Sequence, residues 1–438
     1  MDEAKFKDGI IPPIDPVRTY SLAELIDLAE TQNPTTRVAW EQARAQAAAL
    51  GIARSELYPA LGAIALSGIN RGNTFSDTSF HIQTMWESEG GLDLNYTIFD
   101  FGARAGRISA AKAEVLAANF LFNDAHRQLI FQVEQAYFQL LNSSGQLDAA
   151  KASLTNALEA QHAAEDRLQQ GLATLPDTLE ARSAAANAEY ELQAATGAEE
   201  IARGKLAQAL GTSPTLLIQV QPLDRLAIPE SISDTVDDAL NRAFKHRPDL
   251  MRELAEVRST NAKVKEARAA YYPTLNFEAW GGGQSFYAMQ QSYPWEHAAN
   301  WAGEAGLNLT WSLFDGGLRK NKLAQAKADV LASEAKVSDT RNAVAQEVWT
   351  AYSNLRTAIQ QRQSASALLA AAEESYSAVL DSYNHGVRNF LDVTSAQQTL
   401  AQARSTDVYA RTEVLLTLAQ LAYQTGDSIQ PNTREVTP

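Results

Sequence analysis

The sequence predicts a mainly α-helical chain in two tandem repeats. Each repeat combines long coiled-coil helices with a β-hairpin, and the hairpins supply a membrane β-barrel portion. Three observations predict this: an internal repeat, a long heptad seam in each half, and a stretch in each half where the hydrophobic period changes to two. Composition sets the limits. The 438 residues are 45% hydrophobic and carry a net charge of −15, a poor match for phosphate backbones, so no nucleic-acid partner is expected. Mean hydropathy is −0.27, and the longest apolar run, Ala60–Leu66, falls far short of the ~20 residues of a membrane-spanning helix. Any crossing of a bilayer must then use strands. Cysteine is absent, so disulfides, thiol catalysis and a lipid anchor on a cysteine of these 438 residues are not expected. Met1-Asp2-Glu3-Ala4-Lys5 has no apolar signal core, and the expectation is that a signal peptide has been removed ahead of it.

The repeat is read from ordered matches. Asn33-Pro34 returns as Arg247-Pro248, and Tyr58-Pro59-Ala60-Leu61 as Tyr272-Pro273-Thr274-Leu275, both 214 positions on. Phe99-Asp100-Phe101-Gly102-Ala103-Arg104 returns as Phe314-Asp315-Gly316-Gly317-Leu318-Arg319, 215 positions on, as do Gly171 (Gly386), Asp177 (Asp392) and Gly211 (Gly426). The expected organisation is a tail (1–20), repeat one (21–210), a connector (211–234), repeat two (235–426) and a tail (427–438).

Within each repeat a long helix is expected first from its seam. Leu129, Val133, Ala136, Leu140, Ser143, Leu147, Ala150, Leu154, Ala157, Gln161, Ala164 and Leu168 follow alternating steps of four and three, a coiled-coil pattern. Adding 215 gives Val344 through Tyr383, with Arg362 the one polar residue. These helices are expected over 104–170 and 319–385, each about 100 Å long at ~1.5 Å per residue. Gly171 and Gly386 suit their C-termini. Return helices are expected over 177–210 and 392–426, with Asp177 and Asp392 favoured near their N-termini as caps. A shorter helix, Thr35–Leu57 and its counterpart Asp249–Tyr271, precedes each Tyr-Pro.

The hairpins are expected at about 60–100 and 274–314. Leu92, Leu94, Tyr96 and Ile98 alternate with Asp93, Asn95 and Thr97; Leu307, Leu309, Trp311 and Leu313 alternate with Asn308, Thr310 and Ser312. Strands of ~9–11 residues with one apolar face suit a membrane barrel, and the stretches about 70–90 and 284–302 read as polar loops. Trp86, Trp280, Trp295, Trp301 and Trp311 all lie in these segments, where an interfacial girdle places aromatics; Trp280, Trp311 and Tyr96 are its candidates. Four strands are too few to close a barrel, and open edges are not tolerated in lipid, so copies must pool their strands. The alternative is a soluble coiled-coil scaffold with internally packed hairpins.

The ordered set of helix, Tyr-Pro, hairpin, Phe-Asp-x-Gly-x-Arg, long helix, glycine turn and helix, written twice over about residues 20–426, resembles the TolC family of outer-membrane efflux proteins. The resemblance implies a homotrimer with a 12-strand β-barrel on a 12-helix α-barrel. It also implies an outer-membrane location with a periplasmic extension, docking to a periplasmic adaptor and an inner-membrane pump, and passive export rather than catalysis. It further implies a constriction at the helix tips. The resemblance implies that Tyr383 and Arg388 tie the inner coiled coil to a neighbouring Asp177 and that Asp392 forms a charged ring; Ser395 stands where the family has a second aspartate. Tyr383 also continues the apolar seam and Asp177 and Asp392 also suit caps, so packing and capping stay open as their roles. The adaptor is expected at the tips, around Gly171, Leu172, Leu175, Gly386, Val387 and Phe390.

No cofactor or metal is expected. The six histidines show no ligand spacing. Gly281-Gly282-Gly283 lacks the Lys-Ser/Thr of a phosphate loop and reads as a flexible hairpin segment.

Overall fold

A computed structural model describes residues 18–76, 78–232, 234–290 and 294–427. The tail prolines Pro12, Pro13, Pro16 and Pro431 lie outside the described residues. The chain runs β1 (Thr19–Tyr20), α1 (Leu22–Gln32), α2 (Pro34–Ser55), β2 (Ala60–Ser76), β3 (Ser79–Phe99), α3 (Ala103–Gln169) and α4 (Leu175–Ala209). After β4 (Gln219–Val220) and a short 3-10 turn, the order repeats: α5 (Val236–His246), α6 (Pro248–Ala269), β5 (Thr274–Gln290), β6 (Glu296–Thr310), α7 (Leu318–Asn384) and α8 (Phe390–Thr425). The protein is mostly helical and built of tandem repeats.

Local sequence explains the boundaries. Ser21 and Thr235 open α1 and α5 with capping boxes to Glu24 and Asp238. Both helices stop at a residue followed by proline. Asn33 (ψ 125°) and Arg247 (ψ 120°) are held extended, because the proline ring excludes the helical region for its predecessor. The proline itself then starts α2 or α6, at a position that needs no N–H donor. The Phe-Asp-x-Gly-x-Arg segments start α3 and α7. Asp100 accepts from the backbone N–H of Gly102 (3.2 Å) and Arg104 (2.7 Å) and from the Arg104 side chain. Asp315 does the same for Gly317 (3.0 Å) and Arg319 (3.1 Å).

The chain divides into two compact units. One, residues 42–119 and 252–338, holds a four-stranded antiparallel sheet of order β2-β3-β5-β6. Its strands have 17, 21, 17 and 15 residues, so most of the expected polar loops are strand. Backbone pairing does not depend on side-chain polarity, and the ladder continues past the apolar stretch. The strand expected through Leu313 stops at Thr310, leaving Trp311 beyond it. The triple glycine is also corrected: it lies inside β5, paired with β3 through Gly281↔Leu92, Gly282↔Gly91 and Gly283↔Gly90. A Cβ on Gly282 would stand 2.6 Å from the Gly91 Cα, so glycine here permits close backbone approach.

The described residues of the other unit, which takes in 1–41, 120–251 and 339–438, are mostly helical, with the short β1–β4 pair beside the helices. Its main core joins Leu129, Val133 and Leu140 of α3 to Leu25 and Ala29 of α1, Leu206 and Leu210 of α4, and Leu415 and Ala419 of α8. Ala351, Leu355 and Ala358 of α7 pack with Val414 of α8, and Val344 and Val348 with Ala239 and Ala243 of α5. No residue of either predicted seam is exposed.

Candidate functional site

Two places carry the chemistry: the turns joining the long helices, and the two faces of the sheet.

At the turns, Gly171 and Gly386 both have φ 75°, a left-handed conformation that glycine adopts without steric cost. Each allows a wrapped C-terminus, with Leu172 N–H donating to Arg167 O (2.8 Å) and Val387 N–H to Ser382 O (2.9 Å). The aspartates are third residues of their helices rather than caps, a correction. Thr174 caps α4, its N–H and hydroxyl both donating to Asp177 Oδ2 (3.0 and 2.8 Å). Asn389 caps α8, accepting from Asp392 N–H at 2.9 Å. Pro176 explains the earlier start of α4, since proline is tolerated in a first turn.

Tyr383 is buried at 5% exposure in a cluster with Ala160 and Ala164 of α3, Ala181 of α4, and Phe390 and Val393 of α8. Its ring meets Phe390 edge-on at 5.6 Å. Among the described residues its hydroxyl has no hydrogen-bond partner; burial pushes that hydroxyl up, while Arg167 pulls it down and Asp177 adds to the rise. Within one chain the expected Arg388–Asp177 link is not made. Arg388 lies 3.5 Å from Asp392, and Asp177 is held by Thr174. Ser395 is exposed. Phe390 is corrected as a surface contact, because at 2% exposure it is core. Leu172, Leu175 and Val387 are exposed, as is Leu391, which the sequence reading missed. It missed Arg167 as well, which sits one position before the end of the α3 seam and reads there as a solvated charge.

The strand register sorts the sheet's side chains. Directly opposed residues share a face, and successive residues along a strand alternate between the two faces. Asp93 opposes Trp280, which opposes Glu304; Glu89 opposes Gln284, and Glu87 opposes Phe286; Glu278 opposes Asn95, and Glu296 opposes Ala288. All six carboxylates of these strands fall on this one face, with no Lys or Arg. The other face carries Leu61, Leu92, Leu94, Phe277, Leu307 and Leu309, with Arg71 its one permanent charge. Leu61, Leu307 and Leu309 are exposed at 66–67%, so no layer among the described residues covers that face.

Trp280 therefore lies on the carboxylate face, correcting its place in a girdle: alternation decides its side, whatever its residue type. Tyr96 is on the apolar face and opposes Phe277, while Trp86 opposes Tyr287 on the same face. Trp311 is exposed, and its indole N–H donates to Tyr271 O at 3.1 Å. Among the described residues no group of three or more His, Asp or Glu side chains is placed to hold a metal ion.

Comparison with known proteins supplies the context. A family model described as outer membrane efflux protein matches residues 25–212 and 239–427. The chain is 29% identical to protein CyaE of Bordetella pertussis over 419 residues, 93% of this chain and 85% of that one. It is 22% identical to the outer membrane protein TolC of Salmonella enteritidis over 413 residues, 93% and 82% of the two chains. A crystal structure of a membrane protein from Pseudomonas aeruginosa superposes with a TM-score of 0.81 at 22% identity, covering 92% of this chain and 93% of that one, and so shares its fold.

Proposed function

The chain belongs to the outer membrane efflux protein family, and from that premise we propose that it is one subunit of a trimeric exit duct. The duct conducts substrates passively from a periplasmic pump assembly, in tripartite efflux or type I secretion, across the outer membrane. Three four-stranded sheets make a 12-strand barrel and the long helices of three chains a 12-helix tunnel. Energy comes from an inner-membrane pump, linked through an adaptor that seats on the exposed Leu172, Leu175, Val387 and Leu391 at the tips.

The observation that carries this reading is the two-faced, open-edged sheet. Among the described residues its apolar face has no cover, its carboxylates share the opposite face, and its edges β2 and β6 each pair on one side only. In lipid such edges must be closed by other copies. The aromatic rungs fit a bilayer. Tyr96↔Phe277 and Trp86↔Tyr287 are ten residues apart on each strand, which at ~3.3 Å per residue and a tilt of ~40° separates them by ~25 Å, the height of an outer-membrane apolar band.

The helices support assembly too. Beside its buried seam, α7 carries a second four-three series on its exposed surface: Thr350, Asn354, Thr357, Gln361, Ser364, Leu368, Ala371, Ser375 and Ala378, without one charge. Charged residues populate most unpartnered coiled-coil surfaces, and an uncharged series fits a neighbouring helix of another copy.

Reconstitution into planar lipid bilayers tests the proposal. Discrete, stable conductance steps from the detergent-extracted protein are expected. Failure of a folded, oligomeric preparation to conduct overturns it.

A further inference from the structure

We propose that Arg167 is the latch that holds the duct's tip closed within each chain, fastening the end of α7 to α3. The proposal rests on the duct reading above and names a positioning residue for its gate.

Arg167 lies in the last turn of α3, yet its polar contacts are with α7. Its Nη1 donates to the carbonyls of Tyr383 (2.8 Å) and Asn384 (3.2 Å), and its guanidinium lies over the Tyr383 ring, 4.6 Å from the centroid. The carbonyls at a helix C-terminus carry partial negative charge that a cation offsets; Tyr383 O also accepts the Gly386 N–H at 2.9 Å, so the guanidinium adds charge complementarity there and a second donor. The last turn of α7 has no basic residue of its own. Arg167 supplies that charge from another helix, and α7 ends against α3 because of it.

The two repeats differ where this contact is made. Shifted by 215, Arg167 corresponds to Ser382, Leu168 to Tyr383 and Ala173 to Arg388. Ser382 turns back on its own helix, its hydroxyl donating to Ala378 O at 2.8 Å. Repeat one therefore carries the arginine and repeat two the ring and carbonyls that receive it, a complementarity absent from a simple duplication. The alanines of the tip cluster, Ala160, Ala164 and Ala181, let the Tyr383 ring approach α3. Arg167 fixes that ring from the tip side, and a swing of the α7–α8 turn away from α3 must break both hydrogen bonds and the stack.

The side chain must be arginine for both functions at once. A lysine can donate to the two carbonyls but offers no plane to lie over the ring. The test is single-channel conductance in planar bilayers of the full chain carrying Arg167→Met, Arg167→Lys or, as a control, Arg182→Gln. Arg182 pairs with Glu165 at 2.9 Å on the α3–α4 side and does not reach α7. Expected is a severalfold rise in conductance for Arg167→Met, a smaller rise for Arg167→Lys, and none for Arg182→Gln, with melting temperatures of the assemblies compared in parallel. A residue that merely stabilises the tip lowers the melting temperature without this conductance order. If Arg167→Met does not assemble, Arg167→Gln carries the same comparison. Wild-type conductance in the folded Met or Gln variant overturns the latch. A wild-type protein that never conducts overturns the duct reading instead, and the latch with it.

Discussion

Glu134 shows how far one residue can depart from its usual behaviour. It sits on α3 among Ile130, Tyr137, Phe138 and Leu141, all buried, and its Oε2 has no partner among the described residues. Burial pushes its carboxyl up to about 7. A carboxyl whose folded pKa is raised favours the fold when protonated. That contribution is fully present below the ordinary value of 4.5 and is lost as pH rises through about 7. We expect the Glu134→Gln assembly to match wild type near pH 4.5 and to exceed it at pH 8 by about 3 kcal/mol, read as a difference in melting temperature. Equal pH dependence in the two proteins contradicts the assignment. Arg247 is the opposite case, a buried charge with complete pairing to Asp249 (2.6 Å), Glu347 (2.6 Å) and Gln424 (2.9 Å). The sequence marks it only as the residue before a proline. Its partners lie up to 177 positions away, and no local pattern announces them. Arg167 and Phe390 were hidden for the same reason, since helical spacing tells which residues share a stripe but not which neighbouring helix receives them.

The elements were far more legible than these single sites. Heptad spacing is a property of the helix itself, so the seams from Leu129 to Leu168 and from Val344 to Tyr383 could be read residue by residue. Asp100 and Asp315 announced the strand-to-helix turns because a carboxylate near a helix start has a local job. Strand length was not legible: pairing is made by the backbone, and polar positions such as Glu87, Glu89 and Gln284 look like loop until the register is known. Two expectations follow from that register. Gly282→Val places a side chain against the Gly91 backbone and should part β3 from β5, abolishing recovery of the assembled protein from membranes; normal recovery contradicts the close approach. The carboxylate face should prefer cations, because like charges in a confined lumen focus the field. Asp93→Asn with Glu304→Gln should lower the cation-over-anion permeability ratio, read from reversal potentials in a salt gradient. An unchanged ratio removes these two residues from the conducting path.

For the whole molecule, the proposed duct makes a single chain an incomplete object. Among the described residues its sheet has two open edges and nothing covers its apolar strand face, and α7 carries a second, uncharged series. The tips offer Leu172, Leu175, Val387 and Leu391 to solvent, all at least 59% exposed, and Leu172→Asp with Val387→Asp should abolish adaptor capture in a pull-down while leaving the oligomer intact; undiminished capture moves the docking surface elsewhere. The repeat was legible as two copies of one pattern, whereas the asymmetry that puts Arg167 in one copy and Tyr383 in the other needed the structure. The proposed duct exists only if copies complete one another's sheets. Native mass spectrometry of the detergent-extracted protein tests that most directly. Three chains of 47.6 kDa in one particle that requires detergent is the predicted result, and a folded single chain that stays soluble without detergent contradicts it.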